Sequence, residues 1–193
     1  AYSPESWGPL LDSVLTEIPP IADRRYCYRA QTPDDEAIAH LSGLTAAPEG
    51  CEVRPADKAL MESGLANVDE VRAEARKMWG SLDRFVTEGF GYCVVAGDAI
   101  TSWSLTECPS GDMVDSSAGR SGQFRPSVGV ETVEEFRRRG HATAAAASTL
   151  LRCRREGIVA DWDLYAGNTP SLKLAERLGL TRAADYPIRF FWF

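Results

Sequence analysis

The hydrophobic positions change period several times along the chain, and each change marks an element. Leu10, Leu11, Val14, Leu15 and Ile18 recur at helical spacing and stop at Pro19-Pro20, which predicts an amphipathic helix. Arg24 to Gln31 alternates instead, with Tyr26 and Tyr28 in phase, the period of a strand. Asp34 to Leu44 returns to helical spacing, and Ala46 to Gly50 reads as a loop. Cys51 to Pro55 is a short extended run, followed by helical stretches from Asp57 to Leu65 and from Val68 to Trp79. The clearest local signal is a hairpin. Apolar and β-branched runs, Gly91 to Ala96 and Ala99 to Glu107, flank Gly97-Asp98, a pair suited to a tight turn.

Residues 109–123 are rich in Ser and Gly and read as a loop, either a mobile surface loop or a substrate-facing one. Val128 to Thr132 is a strand. A helix then runs to about Glu156, with Ala142, Ala145, Ala146, Thr149, Leu150 and Cys153 on one face. Arg152, Arg154 and Arg155 suit the negative end of its dipole, and Gly157 is a natural stop. Val159 to Tyr165 is another strand, and Thr169-Pro170 opens a short helix that ends at Leu178-Gly179. Residues 181–193 finish in the aromatic strand Ile188 to Phe193. Hairpin, strand, helix, strand, helix, strand is the order of a mixed α/β sheet.

Composition narrows the class. A chain of 193 residues, 44% hydrophobic and 25% charged, matches one ordinary folded domain and excludes a disordered, collagen-like or disulfide-stapled chain. No apolar run approaches the ~18 residues of a membrane helix, and the Ala-Tyr-Ser start shows no secretory leader, so a cytoplasmic protein without membrane contact is expected. The net charge of −7 favours cationic partners over nucleic acid. Five cysteines without a CxxC pair and two distant histidines, His40 and His141, give no zinc-ligand spacing, and no metal is expected. Cys93 and Cys153 read as small buried apolar side chains.

Candidate chemistry concentrates after residue 127. In Arg137-x-x-Gly140-x-Ala142 small residues stand where a strand turns into a helix. The free N–H groups of that first turn and the positive helix end make an anion site suited to a pyrophosphate. Gly140 lets the backbone approach phosphate oxygens, Ala142 keeps the next turn uncrowded, and Arg137, Arg138 and Arg139 add charge. The competing reading is a solvated Arg triplet at a helix start. Context favours the cradle, because a second strand ends near Asn168 and leads into Ser171-Leu172-x-Leu174-Ala175-Glu176-x-Leu178-Gly179-Leu180. Two such junctions on adjacent strands would form a V-shaped cleft for a long phosphorylated ligand. A nucleic-acid role for the triplet fits poorly beside Glu134 and Glu135.

Val128-Gly129-Val130-Glu131-Thr132, Arg137-Arg138-Arg139-Gly140-His141-Ala142 and the Asn168 to Leu180 run together resemble the GCN5-related N-acetyltransferase (GNAT) superfamily. Trp162-Asp163 ahead of Asn168 is similar to the branch with zwittermicin-A-resistance acetyltransferases. Pro48 to Val53, and Trp79-x-Ser81-x-x-x-Phe85-x-x-x-Gly89-Phe90-Gly91, are weaker echoes of it. The resemblance implies a GNAT acyl-CoA fold over residues 47–193, with residues 1–46 an N-terminal extension packed on it as part of one structural unit. It implies acetyl-CoA as co-substrate and a strand Val130 to Val133 that splays from its neighbour, with the backbone of Val130, Thr132 and Val133 on the pantetheine amides. Arg138, Arg139, Gly140, His141, Ala142 and Thr143 would wrap the pyrophosphate. Asn168 would bond the cofactor arm near the thioester, with Ser171 close by, and His141 would act through its backbone.

The chain departs from that pattern at the proton donor. Where many members carry a Tyr that protonates the leaving thiolate, Ala175 stands here, and Tyr165 is a substitute or a packing aromatic. Glu131 is the first candidate base and Glu107 the second. The expectation is acetyl transfer to a primary amine of a small cationic molecule in a ternary complex, in antibiotic resistance or secondary metabolism, by a monomer or homodimer. The alternatives are a decarboxylating or other CoA-dependent relative in a biosynthetic pathway, or a non-catalytic acyl-CoA sensor.

Overall fold

Apolar strands need covered faces and amphipathic helices need an apolar floor, and this chain meets both needs with one sheet. The computed structural model describes residues 8–10, 13–14, 21–29, 35–107 and 125–190. In chain order these form β1 (Ile21–Arg29), α1 (Asp35–Leu44), β2 (Cys51–Pro55), α2 (Lys58–Met61), α3 (Val68–Trp79), α4 (Leu82–Glu88), β3 (Gly91–Ala96) and β4 (Ala99–Glu107). After them come β5 (Ser127–Thr132), a 3-10 turn (Glu134–Phe136), α5 (His141–Arg155), β6 (Asp161–Tyr165), α6 (Thr169–Arg177) and β7 (Thr181–Phe190).

The fold is the mixed α/β sheet expected. Seven strands lie in the order β2-β3-β4-β5-β6-β1-β7. The hairpin turns at Gly97 as its sequence requires, with φ +59° there and Ala96 opposite Ala99. Only β5 and β6 run parallel. The first described strand, β1, sits inside the sheet, antiparallel to β6 on one side and to β7 on the other.

Cross-strand phase divides the core into two layers. Tyr28, Val128, Trp162 and Leu164 pack under Leu41 of α1, Leu150 of α5 and Ala175 of α6. On the opposite face Cys93, Trp103 and Leu105 pack against Leu60, Val71, Trp79 and Phe85. Burying each such large side chain contributes about 1.5–3 kcal/mol. Over β6 and β1 that second face is more open, and Tyr165 is 40% exposed.

Several boundaries differ from the sequence reading for local reasons. β1 starts at Ile21, three positions before the expected Arg24, because its early residues pair with the far end of β7 (Ile21 opposite Phe190). The stretch from Asp57 to Leu65 forms only the short α2, capped by Asp57 accepting from Leu60 N, before Ala66 bridges to Ala99. α4 was not anticipated; Ser81 caps it by accepting from Arg84 N at 3.1 Å. β6 begins at Asp161, two residues after Val159, and β7 already begins at Thr181. In α5 only Ala142, Arg152 and Arg155 escape full burial, so the expected single apolar face is a nearly all-round one. Most of the helix expected over Leu10 to Ile18, the loop 109–123 and residues 191–193 lie outside the described residues. Among the described residues no helix is long and apolar enough to cross a membrane.

Candidate active site

β5 and β6 pair at one position, Ser127 opposite Asp161, and then part. A three-way clamp pins the closed end of this V. The Asp161 carboxylate accepts from Arg29 at 2.7 Å and pairs with Arg125 at 3.0 Å, while Asp161 N donates to Pro126 O at 3.0 Å. Val133 N donates to Thr101 O at 3.0 Å, so odd-numbered amides of β5 face β4. Strand alternation then turns the amides of Val130 and Thr132 toward the widening gap. Val133 itself is engaged in the sheet.

At the open end of the V the chain enters α5. Gly140 holds φ +88° and Arg138 φ +61°, a left-handed conformation that costs an L residue about 1–2 kcal/mol. Among the described residues no side chain caps this helix, which leaves the first-turn amides of His141, Ala142 and Thr143 without an intrahelical partner. Arg138, Arg139 and Gly140 are exposed beside them, and Arg137 Nε donates back to Thr132 O at 3.3 Å. The His141 imidazole is 3% exposed and turned inward. Its Nδ1 lies 2.7 Å from Thr101 Oγ1, at the point where β4 slips register against β3. Burial, then the Arg139 charge, lowers its pKa. The ring therefore braces the junction, and only its backbone faces the anion site. This donor set fits a pyrophosphate: free amides, a positive helix end and the exposed guanidinium groups of Arg138 and Arg139 on the rim.

β6 ends in a different junction. The Asn168 side chain caps α6 by accepting from Ser171 N at 3.1 Å, and Ser171 Oγ accepts from Trp162 Nε1 at 3.0 Å. The cap uses only the carbonyl oxygen of Asn168 and leaves its amide hydrogens available. Ala175 is fully buried and can supply no proton.

Where β5 and β6 part, walled also by β4 and β1, lies a cavity of about 240 Å³, below the ~300–1,000 Å³ of drug-sized sites. Glu107 and Glu131 both line it, with Tyr165, Asn168 and Ser171. Glu131 sits opposite Trp103 and Glu107 opposite Ser127, so both carboxylates share one face. Glu107 lies over Gly129, where a Cβ would stand 2.8 Å from its Oε1; a side chain at 129 would displace it. Desolvation first, then the Glu74 charge, raises the pKa of both Glu107 and Glu131. Each is thereby a better proton acceptor than a free carboxylate. The buried thiols of Cys27, Cys93 and Cys153 are pushed up to about 12, chiefly by burial, and stay protonated.

Among the lining residues that sequence reasoning missed are Arg25 of β1, Glu74 of α3 and Trp103 of β4. Arg25 and Glu74 reach the site only through long-range pairing, which leaves no local signal. Trp103 had one, since it shares the β4 phase of Leu105 and Glu107.

A family model for GNAT acetyltransferases matches residues 3–189. A Bacillus subtilis (strain 168) protein described as the uncharacterized N-acetyltransferase YdfB is 31% identical over 112 residues, 58% of this chain and 38% of that protein. The match thus spans well under half of that relative's length. Among solved structures, a GCN5-related N-acetyltransferase-like protein from Streptococcus suis superposes with TM-score 0.68 and 22% identity, covering 97% of this chain and 68% of that one. A putative GNAT-family acetyltransferase from Novosphingobium aromaticivorans gives TM-score 0.54 and 18% identity over 88% and 65% of the two chains. A tandem GNAT protein from the clavulanic acid biosynthesis pathway gives 0.54 and 15% over 98% and 59%. At these identities the structures speak for the fold alone.

Proposed function

Because the chain belongs to the GNAT acetyltransferase family, we propose that it moves an acetyl group from acetyl-CoA to a primary amine of a small molecule by direct attack in a ternary complex. The observation that carries this reading is the parting of β5 from β6 beside an uncapped α5, with two carboxylates of raised pKa on the cavity wall between. Acetyl-CoA supplies a thioester carbonyl; the amine nitrogen bonds to it, the C–S bond breaks, and N-acetyl product and CoA thiol leave. The amides of His141, Ala142 and Thr143, with Arg138 and Arg139, hold the pyrophosphate. Val130 and Thr132 offer amides to the pantetheine arm and to the carbonyl oxygen as it gains charge. Asn168 donates its free amide hydrogens nearby.

Glu131 takes the ammonium proton directly or through one water, with Glu107 as its neighbour on the same face. Tyr165, at the cavity wall, is the proton donor available to the sulfur in place of Ala175. An ammonium is cationic at neutral pH and suits a wall with Glu74, Glu107 and Glu131. Trp162-Asp163 ahead of Asn168 supports a place in the zwittermicin-A-resistance-like branch, with resistance or secondary metabolism as its setting. The buried Ala175 favours a second reading, an acyl-CoA sensor that binds without transfer.

One experiment separates the two. The protein is incubated with acetyl-CoA and a panel of primary amines, and free thiol is measured. Amine-dependent release is expected, and Glu131→Gln should slow it about a hundredfold near neutral pH while the acetyl-CoA dissociation constant holds. Because a base must be unprotonated, the wild-type rate should fall as pH drops through the raised pKa. Binding of acetyl-CoA without any thiol release would leave the sensor.

A further inference from the structure

The transfer reading uses the carboxylates of the cavity and leaves its cation unexplained. Arg25 comes from β1, lies directly opposite Tyr165 of β6 and Tyr186 of β7, and lines the cavity. Its guanidinium stands 5.0 Å from the Tyr165 ring centre, which fixes its direction. Two other arginines of the same strand are matched with acids: Arg24 with Asp185 at 2.6 Å and Arg29 with Asp161 at 2.7 Å. Arg25 is not. Its Nε is buried and has no hydrogen-bond partner among the described residues. Asp163, the acid on the same sheet face, accepts instead from the Tyr186 hydroxyl at 2.8 Å. A second buried donor on the cavity wall, Trp103 Nε1, also lacks a partner among the described residues.

A buried guanidinium nitrogen left without an acceptor is costly, and its planar fork matches a carboxylate through two parallel hydrogen bonds. The cavity thus presents Arg25 on its β1 side, near an Asp163 already engaged by Tyr186, and Glu107 and Glu131 on its β4–β5 side. The complement of such a wall is a molecule with an anionic end and an ammonium end. We propose that the acceptor is a small aminocarboxylate, its carboxylate read by Arg25 and its amine turned toward Glu107 and Glu131. This rests on the amine-transfer reading and narrows it: the ammonium end remains cationic, and Arg25 is the residue that sets specificity for the other end.

Pairs of amines that differ only by a carboxylate test it: lysine against cadaverine and ornithine against putrescine, with acetyl-CoA, in the full chain. The wild type should show kcat/KM at least tenfold higher for the aminocarboxylate of each pair. Arg25→Met should lower kcat/KM for lysine about tenfold more than for cadaverine, and Arg25→Lys, which keeps the charge, should recover part of the preference. Equal or reversed preference in the wild type overturns the proposal, as does an equal fall on both amines in Arg25→Met. Should no amine release thiol, the transfer reading fails, and tryptophan fluorescence still decides this one because Trp103 and Trp162 line the cavity. Lysine should then perturb the signal at least tenfold more tightly than cadaverine; an equal or absent response overturns the proposal.

Discussion

The two strand-to-helix junctions at the mouth of the cleft share a strand-to-helix plan and are opposites in chemistry. After β6, the Asn168 side chain fills the first turn of α6, and Ser171 is tied to Trp162. After β5, the first turn of α5 is left bare by Gly140, and the inward His141 ring holds the turn from behind through Thr101. One junction spends an amide on its own stability; the other leaves its first-turn amides uncapped among the described residues. Helix N-termini are therefore not interchangeable anion sites, and what decides is whether a capping oxygen is already present.

The comparison can be broken most severely from outside both junctions. β1 supports β6, whereas β5 leans on β4, so deleting residues 1–46 should strip the α6 junction of its neighbour and expose an apolar sheet edge. Insoluble or non-cooperatively melting protein is expected. A soluble, cooperative, CoA-binding truncation would make this segment a separate module rather than the packed extension proposed for it.

Next in size is Gly140→Asp, which puts a side chain and a negative charge into the bare junction at a φ of +88°. CoA affinity should fall at least tenfold, about 1.4 kcal/mol, in calorimetry. Unchanged affinity in a folded mutant would remove the junction's role. The capped junction should answer in stability instead: Asn168→Ala should lose about 1 kcal/mol in denaturant unfolding, while Asn168→Asp keeps its acceptor oxygen and most of that stability. If both substitutions cost the same, the cap is not what holds α6.

The smallest effect concerns the wall between them. The raised pKa of Glu107 means that the folded state keeps a proton the unfolded state has already lost, so stability falls as pH rises through that window. Glu107→Gln should therefore melt higher than wild type at about pH 8, with the gap closing toward about pH 5. A gap that widens in acid would reverse the assignment.

Much of this was legible in the chain, for reasons that differ by element. Gly97-Asp98, the strand at Val128 and the helix ending at Gly157 are written in local periods and turn residues. The arrangement of β1 was not, because alternation at Tyr26 and Tyr28 says strand without naming its neighbours. In the site, the phase of β4 and β5 puts Glu107 and Glu131 on one face. The left-handed Arg138 carries no local mark, since no Gly or Asn stands there. The division of labour between Asn168 and Gly140 is invisible until the cap is seen to close.

The place of β1 also sets a timetable for making the molecule. Its ion pair with Asp185 spans 161 residues, and its pairing with β6 is almost as distant. During synthesis β1 emerges before the six other described strands and is among the last of them to be enclosed. Until β6 and β7 arrive, both of its hydrogen-bonding edges are bare, and pairing at such separation is slow. Exposed edges of this kind recruit strands from other chains. The charges that mark its sequence, Asp23, Arg24, Arg25 and Arg29, then serve a nascent chain before they serve a folded one, by keeping a waiting strand apart from its copies.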